Sequence, residues 1–324
     1  MRLGERNFMK KLVSGITLML LLTSMLTLAL NVQPVRSDYV WTETIYIQAD
    51  GSIQPPAAPI SSVDNVTYTL TDNITGYVPD YSSAIVIERD NIIMDGAGYT
   101  LQGTGTLNSI GMELTGRSNV TIKNMKITTF HYGIWLDLSS NNSVSGNTVA
   151  HNWHGITLWD SSSNSVSGNT VANNMRGTYL YMSSNNTIYH NNFINNTIQV
   201  NSSGGSTNFW DDICPSGGNY WSDYTGVDEK KGINQDEPGS DGLGDTPYVV
   251  GADQDHYPLM HQWRELLGDV NGDGTVDMQD ISLLADAFLS YPGHPQWNLS
   301  ADINNDNSVD MLDVSTAIDH FMQP

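Results

Sequence analysis

Gly133-Ile-Trp-Leu-Asp-Leu138, Gly155-Ile-Thr-Leu-Trp-Asp160 and Gly177-Thr-Tyr-Leu-Tyr-Met182 follow one another at a spacing of 22 residues. Gly111 joins the same series. So do three further registers: Leu114, Leu136, Leu158 and Leu180; Ile122, Val144, Val166 and Ile188; and Ile127, Val149, Val171 and Phe193. Four registers at one period mark a repeat architecture. Within each repeat, apolar and polar residues alternate as in a strand, and Gly, Ser and Asn cut the strands into short pieces. Such a repeat has room for about three strands. One coil cannot bury its own apolar face, whereas stacked coils can. The sequence therefore predicts an all-β, parallel β-helix with coils about 4.8 Å apart. Leucine-rich repeats share the period but need a different leucine spacing and a helix.

Outward from this array, Ala84 to Leu101 reads as an earlier coil, so the repeats run over 84–200. Residues 38–83 are expected to cap one end. Residues 201–262 change to phrases rich in Asp, Gly and aromatics, such as Gly217-Gly-Asn-Tyr-Trp-Ser-Asp223, and are expected to close the other end with Trp210, Tyr220, Trp221 and Tyr224. Asn147, Asn169 and Asn191 share the 22-residue spacing and predict an internal asparagine ladder.

Residues 1–37 read as an export signal. Arg2, Arg6, Lys10 and Lys11 precede an uncharged apolar run from Leu12 to Leu30, and Val35-Arg36-Ser37 offers a cleavage site. The run is long for a signal core, so an uncleaved membrane anchor is the alternative reading. The protein is then secreted, extracellular or attached to the cell surface. Eight Asn-x-Ser/Thr triplets, from Asn65 to Asn298, suit a glycosylated exported chain. Cys214 is the single cysteine, which excludes an intrachain disulfide. The net charge is −22, and removing the leader leaves 8 Lys+Arg against 34 Asp+Glu. Nucleic acid is disfavoured as a partner, because binding phosphates takes clustered cations.

The phrases Gly-Ile-x-Leu and Asn-x-Val-Ser-Gly-Asn-Thr-Val, with the closing Gly-Gly-Asn-Tyr-Trp-Ser-Asp-Tyr, resemble secreted parallel β-helix proteins of the carbohydrate-binding and sugar-hydrolase superfamily, which implies an all-β right-handed parallel β-helix with the pectin-lyase-like solenoid fold. The likeness is to the NosD-like branch and covers roughly residues 84–260. That name implies copper, but His131, His151, His154 and His190 are scattered without metal-ligand spacing.

In the expected register, Ile134 and Leu136 point inward. Glu113, Thr115, Trp135, Asp137, Thr157, Trp159, Tyr179 and Tyr181 then point outward. Trp135, Trp159, Tyr179 and Tyr181 are candidate carbohydrate-binding residues, because aromatic faces pack on sugar rings. Stacking that only stabilises the sheet is the alternative. Glu113, Asp137 and Asp160 are the candidate catalytic carboxylates for a hydrolase or lyase, since glycosidic cleavage uses an acid pair. No tight motif surrounds them, and the reading leans towards a non-enzymatic protein. Three functions compete: a glycan-binding surface protein, a polysaccharide lyase or glycoside hydrolase, and a structural spacer.

Residues 263–324 carry the most specific chemistry. Asp269-Val-Asn-Gly-Asp-Gly-Thr-Val-Asp-Met-Gln-Asp280 is echoed 33 residues later by Asp302-Ile-Asn-Asn-Asp-Asn-Ser-Val-Asp-Met-Leu-Asp313. Calcium is a hard cation held by six to eight oxygens. Asp269, Asn271, Asp273, Thr275, Asp277 and Asp280 form one candidate cage, and Asp302, Asn304, Asp306, Ser308, Asp310 and Asp313 the other. Each loop runs into a helical pattern, Ile281, Leu284 and Phe288 in the first and Val314, Ala317 and Phe321 in the second, expected to pack together. Asp241 to Asp245 could hold a further calcium. The duplicated half-EF-hand resembles a type I dockerin. That resemblance implies a cohesin-type partner recognised through Met278, Gln279, Met311 and Leu312, where many members carry small hydroxyl residues.

Overall fold

A computed structural model describes residues 38–264, 268–270, 276–303 and 308–321. Apart from Asp38, these belong to one unit, Tyr39–Pro324. The leader at 1–37 lies outside the described residues. Among the described residues no helix is long and apolar enough to cross a membrane.

The repeats form a parallel solenoid. Each 22-residue unit sends one six-residue strand and two shorter strands of three or four residues to three separate sheets. The longest strands are Ile110–Thr115, Tyr132–Asp137, His154–Trp159, Arg176–Tyr181 and Ile198–Ser203, all parallel and paired without slippage. Ile134 therefore lies opposite Ile156, and Leu136 opposite Leu158. These side chains, with Val144, Val149, Val166 and Val171 from the shorter strands, fill a continuous buried column. Each contributes about 1.5–3 kcal/mol through removal from water.

The repeating glycine has a steric cause. A Cβ at Gly133 would sit 2.7 Å from the Gly155 carbonyl oxygen, and one at Gly155 2.5 Å from that of Gly177. Adjacent coils approach too closely there for any side chain.

At the corners, buried polar side chains link one coil to the next. Asn169 shows the unit. Its Oδ1 accepts from Asn147 N (2.9 Å) and Asn147 Nδ2 (3.0 Å), and its Nδ2 donates to Val144 O (2.8 Å), Ser167 O (3.0 Å) and Asn191 Oδ1 (2.9 Å). This ladder continues to Asn219. Two more run in parallel, Asn142–Asn164–Asn186–Asn208 and Asn152–Asn174–Asn196, with a serine ladder through Ser139, Ser161 and Ser183. Strands this short leave many backbone groups at the corners, and buried ones need partners. The asparagine amide, donor and acceptor at once, supplies them.

The segment expected as a cap, 38–83, takes part in the sheets itself. Ile45–Ile47, Thr67–Leu70 and Ile74–Thr75 each pair in parallel with the following coil. Ile53–Gln54 and Ile60–Ser61 then add antiparallel and end two of the sheets. At the far end, Phe193, Trp221 and Tyr248 stack face to face, with centroids 4.5 and 4.2 Å apart. The hairpin of Tyr248–Val250 and Asp253–Asp255 terminates two ladders on carboxylates. Asp253 accepts from Asn208 N (2.8 Å), and Asp255 from Asn219 N and Trp221 Nε1 (both 2.8 Å).

Burial pushes the Asp255 carboxyl up to about 7, against the N–H groups of Asn219, Trp221 and Tyr257 that favour the anion. Between about pH 4 and 7 the folded chain keeps a proton here that an unfolded aspartate has released. Stability should therefore fall as pH rises through that window, by on the order of a few kcal/mol. Thermal midpoints of the strand signal at pH 5 and pH 8 check this. The expected result is a higher midpoint at pH 5, with the difference shrinking in Asp255→Asn.

Candidate functional site

Two regions carry the chemistry anticipated in the sequence. In the first, the outward side chains of the six-residue strands form adjoining rows across the coils. Glu113, Trp135, Thr157, Tyr179 and Asn201 make one row, and Thr115, Asp137, Trp159, Tyr181 and Ser203 the next. The four aromatic candidates form one connected surface. Trp135 and Trp159 stack at 6.0 Å, Trp159 lies 4.2 Å from Tyr181, and it meets Tyr179 edge-on at 6.3 Å. Thr157 points outward as expected but is buried, because the large side chains around this short one close over it.

The three carboxylates gather at one side of these rings. Glu113 accepts from Ser83 Oγ and from Thr115 Oγ1 (3.1 Å). Asp137 lies beside Thr115 and Trp159 in the ladder. Burial holds its carboxyl above the usual range, with added repulsion from Asp160 and Glu113. Asp160 falls just past its strand, in the left-handed conformation at φ 45°.

A third outward row, Tyr132, His154 and Arg176, escaped the sequence reading. Its register lies just before the repeated glycine at which the sequence pattern starts the strand, and it has the same 22-residue spacing. Tyr132 stacks on His154 at 4.9 Å and contacts Trp135 edge-on at 4.6 Å, while His154 lies 5.3 Å from Tyr179. Arg176 Nη1 is 3.3 Å from His154 Nε2. Burial, and then the Arg176 charge, push the His154 imidazole down to about 4.

The second region is the tail. Helices Met278–Ala287 and Met311–Asp319 begin in the same way. Asp277 caps the first by accepting from Gln279 N (2.6 Å), and Asp310 caps the second by accepting from Leu312 N (2.7 Å). Asp280 accepts from Val270 N (2.7 Å) and Asp277 N (2.8 Å), and Asp313 from Ile303 N and Asp310 N (both 2.8 Å). The last acidic position of each loop is thus fully buried and tied to both ends of its own loop. Asp302 is buried, while Asp269 and Ser308 are half-buried. Asn271, Asp273, Thr275, Asn304 and Asp306 lie outside the described residues.

Charge says what such loops need. From Gly268 to Pro324 there are ten Asp residues and no Lys or Arg. Buried carboxylates are costly without hydrogen bonds or a compensating cation, and this segment supplies no Lys or Arg for that role. The oxygen-only donor set, the duplicated geometry and this charge fit calcium.

The four expected contact positions sit at the helix starts, with Met278, Met311 and Leu312 exposed by 66, 63 and 62 % and Gln279 exposed as well. Val276, Leu284, Ala287, Val309 and Ala317 form the small core beneath. Phe288 departs from expectation. The first helix ends at Ala287, so Ala287 takes the buried place and Phe288 faces outward. The suggested site at Asp241 to Asp245 is differently engaged. Asp241 accepts from Gly232 N (2.9 Å), Gln235 Nε2 (2.9 Å) and Leu243 N (3.2 Å), and Asp245 from Lys230 N (3.1 Å). These carboxylates serve to fold their own loop. Among the described residues no group of three or more His, Cys, Asp or Glu side chains is arranged to hold a metal.

Comparison with known families supplies two matches. Residues 42–226 match the family described as periplasmic copper-binding protein (NosD), and residues 267–322 match the type I dockerin domain. No curated protein matches the chain. Copper does not fit the donors on the solenoid. His131 and His154 have ring centroids 5.8 Å apart, but the Nε2 of His154 faces a guanidinium, which repels a metal cation.

Proposed function

This chain belongs to the NosD family and carries a type I dockerin domain, which implies a cohesin partner, and from that premise we propose that it is an exported glycan-binding protein held on a scaffold by its tail. Two calcium ions would organise the tail, one held by Asp269, Asn271, Asp273, Thr275, Asp277 and Asp280, the other by Asp302, Asn304, Asp306, Ser308, Asp310 and Asp313. The ions would supply the positive charge that the segment lacks and fix the helix starts. Met278, Met311 and Leu312, with the polar Gln279 beside them, would then present the contact surface to the cohesin, in keeping with their exposure.

The observation that carries the glycan reading is the connected surface of Trp135, Trp159, Tyr179 and Tyr181 beside Glu113 and Asp137. Rings of this kind cover the apolar faces of sugars, and the adjoining carboxylates accept from hydroxyl groups. The test is a glycan array probed with the full chain, followed by titration of the best ligand. Trp159→Ala should weaken binding at least about tenfold, since a buried aromatic anchor is typically worth 2 kcal/mol or more. Unaltered affinity in a double Trp135→Ala, Trp159→Ala variant would exclude this face as the site, and binding to no glycan at all would leave only the spacer reading. Release of cleaved product in the same incubations, lost in Asp137→Asn, would instead assign catalysis to the acidic edge.

A further inference from the structure

The row missed in the sequence has an electrostatic consequence. Arginine can only donate hydrogen bonds. In the 3.3 Å contact between Arg176 Nη1 and His154 Nε2, the imidazole nitrogen is therefore the acceptor, and the neutral ring carries its proton on Nδ1. That Nδ1 is buried and has no partner, and the same holds for Arg176 Nε and Thr157 Oγ1. Two N–H donors and a hydroxyl thus lie unpaired in one patch, bounded by Tyr132, Trp135 and Tyr179. Buried donors without acceptors are rare and costly.

The charge is as telling as the donors. Arg117 pairs with Asp90 at 3.5 Å and Lys123 with Asp95 at 3.6 Å. Arg176 has no carboxylate within salt-bridge distance among the described residues, in a chain whose net charge is −22. Its guanidinium instead lies 6.0 Å from the centre of the Tyr179 ring, half-buried. A cation held among aromatic rings, with unused donors and no internal counter-ion, is built to receive an anion.

The geometry points to an anionic subsite at Arg176 and His154 that takes the carboxylate or sulfate of an acidic sugar whose ring lies on the neighbouring aromatics. This rests on the glycan reading and adds the ligand's charge to it. One edge of the face would bind the anion, and the other, at Glu113 and Asp137, the sugar's hydroxyl groups.

The experiment titrates the full chain with galacturonate oligomers, a sulfated galactan fragment and neutral cello-oligosaccharides in about 0.15 M salt, where long-range repulsion is screened. The wild type should prefer the acidic ligands. Arg176→Gln should weaken them by about ten- to hundredfold, the range for a lost charge-assisted pair, and change neutral binding less than about twofold. Arg176→Lys should recover only part of the loss, because a lysine lacks the planar fork. An unchanged strand signal shows that each variant folds. The relative response to carboxylate and sulfate distinguishes the two sources. Equal binding of neutral and acidic ligands, or acidic binding that survives Arg176→Gln, overturns the inference and leaves the glycan reading standing. Binding to no sugar at all overturns both.

Discussion

Replacing Asn169 by alanine should lower the thermal midpoint of the solenoid by roughly 10 °C, and replacing it by aspartate should lower it further. Alanine leaves the buried Asn147 N–H without its acceptor and removes the donor that serves Val144 O, Ser167 O and Asn191 Oδ1. Stranding several buried groups at about 1–3 kcal/mol each suggests a loss on the order of 3–5 kcal/mol. For a domain of this size, each kcal/mol moves the midpoint by about 2–4 °C. Aspartate keeps the shape and still accepts from Asn147, but its second oxygen would face three acceptors where an NH₂ now donates. A carboxylate buried in that setting is costlier than a missing side chain. The order Asn, Ala, Asp therefore separates a hydrogen-bond ladder from simple packing, in which the isosteric aspartate would be the milder change. Differential scanning calorimetry reads the order directly, and a midpoint for the aspartate variant above that of alanine would count against the ladder.

The same residues show what a linear pattern can reveal. Apolar rows at a spacing of 22 are legible because burial selects the same side-chain type coil after coil, as at Leu114, Leu136, Leu158 and Leu180. One asparagine ladder was legible for the same reason. The other two have the same spacing, but Asn142, Asn164 and Asn186 sit among so many Asn and Ser residues that composition hides them. What stayed illegible depends on contacts between residues far apart in the chain. Asp253 and Asp255 look like ordinary surface acids in sequence, and only the hairpin's return across the last coil makes them ladder ends. The Tyr132–His154–Arg176 row needed the strand to begin before its glycine, a matter of backbone pairing rather than side-chain type. Phe288 misled because helical periodicity cannot say where a helix stops, and this one ends a residue earlier.

Withdrawing calcium should melt the tail and leave the coils intact. Among the described residues the tail's buried core is Val270, Val276, Leu284, Ala287, Ala301, Val309 and Ala317, with Ile281, Leu283, Trp297 and Ile303 partly buried against it, and three of the seven are alanines with little surface to bury. A core so small rarely holds a fold alone, and metal is one of the few substitutes. Against it stand Asp280, Asp302 and Asp313, all buried in a segment without Lys or Arg. At a free concentration a hundred times its dissociation constant, each ion stabilises the folded form by about 2.7 kcal/mol, a large share of what so small a unit can have. The solenoid's apolar column is a separate cluster and has no such dependence. Hydrogen exchange on the full chain should therefore show amides of Met278–Ala287 and Met311–Asp319 losing protection in chelator, with 84–200 unchanged. Asp280→Ala should produce the same loss at saturating calcium and abolish capture by a cohesin domain, because the first loop loses the carboxylate that ties Val270 to Asp277. Helix amides that stay protected in chelator would show that packing alone folds the tail. The excess of aspartates would then need an explanation other than a bound ion.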